Sequence, residues 1–459
     1  MKTITEPGRQ VEAISEVDVA VVGGGCAGLG AAIAAARNGA KTALIEQLGF
    51  LGGCITATHM DAFWMFRAGR HRAIEGLVIE MLGRVKQMGG LIGEPGGRCY
   101  VDVETFKLFC DRIIAETGIE LWLHSQGVFP AMEGNSVRGV ITESKSGRKA
   151  ILAKVVVDGS GDGDIAYRAG APFALGRDGD GLCEPLGIGF RMSGVDVRKI
   201  RQYAAAHPDD KYFNTFVTKA KSNGDFPINR KRIMYHGWNE DTGEITGVNV
   251  VRIQHKDPTS VRDLTAAELE AREQIFKIEG FLRKYVPGFE KAQVAAIPTQ
   301  VAPREGRRVI GGYVLTQQDI MKGSRFDDAV AVSPSFIDYH HPDGDGTTLV
   351  YPGLGKQGAE SETMETLFSD TVFADAATYD IPYRCLLPNG VENILTAGRC
   401  MSAEAVAVGS LRYLPISFAT GQAAGTAAAL AAKQGKSPRG LDVEELQKTL
   451  VKQGMYLGE

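Results

Sequence analysis

The residues best placed to do chemistry are glycines. Gly23-Gly24-Gly25-Cys26-Ala27-Gly28 contains G-x-G-x-x-G, and Glu46 follows Gly28 by eighteen residues. In this spacing Gly23 allows a tight turn, Gly25 lets a pyrophosphate approach the backbone, and Gly28 lets a helix pack close to a sheet. A carboxylate at Glu46 can accept hydrogen bonds from both hydroxyls of an adenosine ribose, and it disfavours the 2′-phosphate of NADP. The chemistry implied is the gripping of a dinucleotide by backbone N–H groups at a helix N-terminus. A lone glycine motif says little, and the elements around it must carry the rest.

Those elements are in order. Val19–Val22 reads as a buried parallel strand, Leu29 to about Arg37 as an alanine-rich helix stopped by Asn38-Gly39, and Lys41–Ile45 as a second strand ending on Glu46. That is a complete βαβ unit. In the loop Gln47–Cys54, Gly52-Gly53 can curl back over the phosphates. Helical spacing recurs over Glu75–Gln87 and Val103–Thr117. From Glu120 the period becomes two, over Leu121–His124, Gly127–Met132, Val137–Lys145 and Arg148–Ala153. Hairpin turns are expected at Glu133-Gly134-Asn135 and Ser146-Gly147. Lys154–Asp158 reads as one more buried strand, ending in Gly159-Ser160-Gly161-Asp162-Gly163-Asp164. This junction lacks a third correctly placed glycine and a following acid-tipped strand. It therefore reads as a further strand of the same sheet, touching the same dinucleotide, rather than a separate NAD site.

Between about Ala174 and Arg384 the composition shifts to more aromatics, more charge and mixed periods. The clearest helix there is Thr265–Lys284, with Thr265 as N-cap and Glu268 completing a capping box. Asn393–Ala397 is a last short strand running into Gly398-Arg399. The helix Ile416–Lys433 carries Pro415 in its first turn, where no N–H partner is needed, and Leu441–Lys452 is an amphipathic tail. The fold class expected is α/β: a Rossmann-like three-layer nucleotide-binding domain with a β-meander, plus an inserted α+β substrate domain. The division is 1–173 and 385–459 for the nucleotide-binding domain and 174–384 for the insert.

Composition narrows the function classes. A chain of 459 residues exceeds one ordinary core, and a formal charge of −4 gives no reason to expect nucleic acid or an anionic membrane as partner. Seven cysteines without a C-x-x-C provide neither a zinc knuckle nor a redox dithiol of that spacing. Free thiols in a reducing cytoplasm are the expectation. No signal peptide is expected in the first seventeen residues, and no run of about 18 apolar residues can span a bilayer. No metal is expected. His340-His341 has no partner histidine at metal spacing, and Asp178-Gly179-Asp180-Gly181 and Asp343-Gly344-Asp345-Gly346 lack the twelfth-position glutamate of a calcium loop. As general base, His340, His341, Tyr313 and Glu404 are equally eligible.

Four stretches together resemble the FAD-dependent oxidoreductases of the glutathione-reductase-like superfamily: Val19–Glu46 with Gly52-Gly53, Val155–Ala171, Val301–Asp319 and Ile381–Ala432. The resemblance implies FAD as cofactor and an FAD domain split around a substrate domain. It also implies hydride transfer between flavin N5 and a small organic substrate. Gly23, Gly25, Cys26, Ala27, Gly28, Glu46 and Gln47 would surround the ADP half, with Gly52 and Gly53 beside the phosphates. Gly161 and Asp162 would mark the second nucleotide-contacting strand tip. Gly398 and Arg399 would lie by the ribityl and pyrophosphate, and Leu414 at the helix that faces the flavin. Relatives carry Gly-Asp where Gly398-Arg399 stands, and a guanidinium cannot accept the ribityl hydrogen bond, although it suits phosphate.

Arg304, beside Arg307 and Arg308, would clamp a carboxylate or polarise a carbonyl, or else belong to a salt-bridged strand face. Arg412 and Tyr413 stand just before the flavin-facing helix, where one of them would reach flavin or substrate. Cys54 has no second cysteine within the next ten residues, which argues against disulfide-reductase chemistry and for a small packed side chain. Two other readings stay open: a reductase fed by a partner electron-donor protein, and a flavoprotein without catalysis. An oligomer is compatible with all three.

Overall fold

The computed structural model describes residues 2–5, 8–68, 71–353, 357–358 and 377–458. Its centre is the expected βαβ unit: strand β1 (Ala13–Val22), helix α1 (Cys26–Arg37) and strand β2 (Thr42–Ile45). The all-apolar ends of both strands are buried and pair in parallel, from Val19 opposite Thr42 to Val22 opposite Ile45. Helices α2 (Leu77–Gln87) and α3 (Val103–Thr117) follow. Asp102 caps α3 by accepting from the Thr105 N–H, and left-handed Gly118 ends it. Strand β3 (Glu120–Trp122) extends the parallel sheet beyond β2.

Strands β4 (Gln126–Glu133), β5 (Ser136–Ser144) and β6 (Gly147–Asp158) form the meander. Here the structure corrects the sequence reading, because Arg148–Ala153 and Lys154–Asp158 are one strand. Its first half pairs antiparallel with β5, and its last three residues pair in parallel with Ile394–Thr396. Strand β1 runs along the other edge, from Ala13 opposite Ala150 to Val22 opposite Asp158. The apparent break comes from Lys154, an exposed residue that interrupts the apolar pattern and pairs with Asp18 at 2.7 Å. The second glycine-rich junction therefore does belong to the same sheet.

A second apolar core, drawn from residues between Leu186 and Val301, lies under a four-stranded sheet. In chain order its elements are β7 (Gly189–Ser193), β8 (Met234–Asn239), β9 (Glu244–Asn249), helix α4 (Val261–Tyr285) and β10 (Gln293–Ala296). The sheet order is β8-β9-β7-β10. Helix α4 starts earlier than its sequence pattern suggests. Ser260 is the N-cap and accepts from the Asp263 N–H, while the Thr265 hydroxyl bonds back to the Val261 carbonyl inside the helix. Glu268 reaches across to the Val301 N–H at 2.7 Å instead of closing a capping box. Two Ser/Thr-x-x-acid patterns stand in tandem here, and the upstream one wins because it adds a turn that packs Leu264 on the core.

Strand β11 (Ile394–Thr396) and helix α5 (Leu414–Gln434) complete the nucleotide-binding half. Helices α1 and α5 cross with their backbones touching. A Cβ on Gly421 would sit 2.1 Å from the Ala27 carbonyl oxygen, and one on Gly425 2.0 Å from that of Ala31. Glycine at these positions is what lets helix α5 close on the first βαβ unit. Among the described residues, no helix is long and apolar enough to cross a membrane.

Candidate functional site

A cavity of about 530 Å³ opens at the carboxyl ends of β1, β2 and β6, where open α/β sheets place their ligands. Its floor is glycine-rich backbone. Gly23 turns the chain out of β1 at φ +91°, and a Cβ on Gly28 would lie 1.6 Å from the Gly23 carbonyl oxygen. The Gly52 N–H donates to the Gly24 carbonyl at 2.8 Å, so the second glycine loop folds onto the first. Helices α1 and α5 both present their N-terminal residues here, Cys26 and Ala27 from one and Leu414 and Ser417 from the other. No side chain caps either helix. Their first-turn N–H groups remain available to an anion, reinforced by two helix dipoles.

Most residues expected to touch the dinucleotide line this space: Gly23, Gly25, Cys26, Ala27, Glu46, Gln47, Gly53, Gly161, Gly398, Arg399 and Leu414. Gly28, Gly52 and Asp162 do not. Gly28 acts in packing and Gly52 in joining the two loops. Asp162 turns away to pair with Arg399 at 2.8 Å. Glu46 is buried and accepts from the N–H groups of Gly24 (2.6 Å) and Leu48 (2.8 Å). A carboxylate has about four lone-pair sites, so roughly two remain for a ribose. Burial raises its pKa against those hydrogen bonds. The uncapped helices, the glycine cradle and the half-satisfied acid fit a dinucleotide such as FAD.

The opposite wall is built from charged side chains. Arg304, Arg412 and Tyr413 all line the cavity. Arg304 is 8% exposed, donates Nη1 to the Pro185 carbonyl at 2.6 Å, and is held down to about 10 by burial and then by Arg412. Arg412 donates to the Asp338 carbonyl at 2.6 Å and lies 3.5 Å from the carboxylates of Glu184 and Asp338. Glu184 is fully buried, and its carboxyl is pushed up to about 7 by burial, against the pull of Arg412. Burial pushes the Asp338 carboxyl up too, but His340, Arg412 and Arg304 outweigh it and hold the group low. Tyr413 meets Trp64 and Phe336 edge-on, each with ring centroids 5.9 Å away, and its hydroxyl has no hydrogen-bond partner among the described residues. Arg307 and Arg308 lie off the cavity, paired with Asp164 at 3.0 Å and with buried Glu305 respectively.

The four eligible bases separate on geometry. Tyr313 bonds to Asp319 at 3.0 Å, Glu404 accepts from the Gln317 N–H at 2.8 Å, and His341 bonds to Thr348 at 2.7 Å; none of them lines the cavity. His340 does, but both ring nitrogens are engaged, Nδ1 with Thr347 at 3.1 Å and Nε2 with Asp338 at 3.4 Å. The sequence reading missed His236. It lines the cavity, its Nδ1 lies 3.1 Å from the fully buried Asp61 carboxylate without a hydrogen bond between the two, and its Nε2 has no partner among the described residues. Asp61 is held in turn by the Thr246 hydroxyl at 2.9 Å. Burial pushes the His236 pKa down and Asp61 only partly restores it, so the imidazole is neutral at pH 7. Gly247 stands directly opposite His236 across β8 and β9, and a Cβ on it would fall 2.0 Å from His236 Cε1.

Cys54 also has a partner the sequence hid. The upstream Cys26 thiol interacts with it, raising the Cys26 pKa and lowering that of Cys54, and both line the cavity. The two Asp-Gly segments are turns tied together by one guanidinium, Arg177, which bonds Asp180 at 2.9 Å and Asp343 at 2.7 Å.

The family model described as FAD dependent oxidoreductase matches residues 18–450. Among solved structures, the chain is similar to a geranylgeranyl bacteriochlorophyll reductase-like protein from Thermoplasma acidophilum, with 12% identity over 96% of this chain and 84% of that one, at a TM-score of 0.45. It is also similar to p-nitrophenol 4-monooxygenase from Pseudomonas putida, with 11% identity over 97% of this chain and 90% of that one, at a TM-score of 0.45.

Proposed function

Since the chain belongs to the FAD-dependent oxidoreductase family and FAD is its cofactor, we propose that it moves a hydride between the flavin ring and a small organic substrate seated in the same cavity. The bound cofactor supplies a ring able to take up or return a hydride. Residues 1–173 and 385–459 would hold it, and 174–384 would provide the substrate side. Gly23, Gly25, Cys26, Ala27, Glu46 and Gln47 would surround the ADP half, with Gly53, Gly161 and Gly398 along the phosphates. Arg399, braced by Asp162, would lend them its charge. The N-terminus of α5 favours negative charge facing it by about 0.3–1 kcal/mol, and up to ~2 kcal/mol where partly buried.

Arg304, Arg412 and Tyr413 would orient the substrate, and the aromatic patch of Trp64, Phe336 and Tyr413 would exclude water from it. His236 would take the substrate proton on Nε2, and the Asp61 carboxylate 3.1 Å from Nδ1 would stabilise the imidazolium that forms. The observation that carries this reading is the sharing of one cavity by an uncapped, glycine-lined end and an arginine–histidine end. The test is anaerobic mixing of the purified flavoprotein with a panel of alcohols, amines and organic acids, and of the reduced protein with the corresponding carbonyl and unsaturated compounds. Loss or return of the flavin absorption is expected with at least one of them. An unchanged spectrum throughout defeats the proposal.

A further inference from the structure

We infer that the substrate is a small organic acid, its carboxylate received by Arg304 and Arg230. This rests on the preceding reading of the cavity as the substrate site. Arg230, Arg304 and Arg412 line this wall with Asp338, and Arg252 and Glu184 stand behind them. Arg412 lies near both acids, and Arg252 donates to the His341 carbonyl at 2.7 Å. Arg304 and Arg230 have backbone carbonyls only, Pro185 at 2.6 Å and Val250 at 3.3 Å, and neither has a carboxylate partner among the described residues. Arg304 is buried and Arg230 partly so, and a guanidinium drawn out of water without a counter-ion is destabilised, which an anion from solution relieves.

The planar fork of arginine matches a carboxylate in two parallel hydrogen bonds. Phosphates of the cofactor have their own cation at the other end of the cavity. Arg399 lies there, its Nη2 only 3.0 Å from where a Cβ on Gly161 would be. Space for the Arg304 fork is kept by Gly187, at which a Cβ would come within 2.8 Å of both Nη atoms.

The experiment is calorimetric titration of the FAD-loaded protein with acetate, malonate, succinate, glutarate and benzoate, each alongside its amide. At least one acid is expected to bind saturably while its amide does not. Arg304→Met and Arg230→Met should each weaken that acid by about tenfold or more and keep a wild-type flavin content. Gly187→Ala removes no charge but crowds the guanidinium, so it should weaken the same acid even if a charge-removing variant misfolds. The inference is overturned if no acid binds, if amides bind as well as acids, or if all three variants keep wild-type affinity. Loss of FAD from well-folded Arg304→Met and Arg230→Met would also overturn it, since the arginines would then serve the cofactor's phosphates. The two readings fail separately. An acid that binds as expected while no compound ever alters the flavin spectrum defeats hydride transfer alone, whereas bleaching by a neutral compound with no acid bound defeats this inference alone.

Discussion

The two ends of the cavity are built on opposite physical plans. The end proposed for the dinucleotide is made of backbone: at Gly23, Gly24, Gly28, Gly53 and Gly398 an added Cβ would fall 1.6 to 2.9 Å from its nearest neighbour, and two helix N-termini are uncapped. Recognition there is by peptide N–H groups and dipoles, which any sequence supplies once the chain takes the right path. The end proposed for the substrate is made of side chains, Arg230, His236, Arg304, His340, Arg412 and Tyr413, contributed by separate segments, with Arg304 and Tyr413 buried and the others partly so. One end is intolerant of added volume, and the other is sensitive to changes of charge.

Substitutions can break or sharpen that contrast. Gly28→Ala puts a methyl group into the Gly23 carbonyl and should give protein that retains no flavin, read as the ratio of visible to ultraviolet absorption. Retention of flavin would mean that backbone contact does not organise that end. His236→Gln should slow flavin bleaching by about 10²–10⁴-fold at unchanged flavin content. Because burial lowers the His236 pKa, the wild-type bleaching rate should fall only below its ordinary value near 6.5, and the variant should lose that pH limb.

Glu184→Gln tests the buried charges. The folded-state carboxyl is raised to about 7, so between about pH 4.5 and 7 the unfolded chain releases a proton that the folded chain keeps. Stability therefore falls as pH rises through this window, by at most about 1.4 kcal/mol per pH unit, and is level on either side of it. The variant should lose this contribution, measured as Tm against pH. The smallest effect belongs to neither end. Ser260→Ala should remove about 1 kcal/mol by uncapping α4, while Thr265→Ala, inside the helix, should do nearly nothing; equal losses would restore Thr265 as the cap.

Much of the dinucleotide end was legible because its determinants are contiguous. The strand, glycine turn, helix and acid between Asp18 and Glu46 follow local rules, and so do the turns of the meander. Lys154 misled only because a single exposed residue in a long strand looks like a boundary. His236 was invisible for a different reason. Its Asp61 partner is 175 residues away, and nothing in the spacing of either residue distinguishes it from a surface histidine or a capping acid. Cys26 and Cys54 stand twenty-eight residues apart in the sequence, and they come together only because one glycine loop folds onto the other.

The amino-acid sequence by itself determined the parallel βαβ unit, its glycine-rich turn, and the short strand and long helix near its C-terminal end. These depend on steric and hydrogen-bonding rules that act over a few residues. Only the tertiary structure decided which arginines keep a carboxylate partner, which histidine leaves a nitrogen free, and which helix ends meet in one cavity. Those properties depend on burial and on distances between remote segments, and a charge has no fixed chemical meaning until its neighbours and its access to water are set.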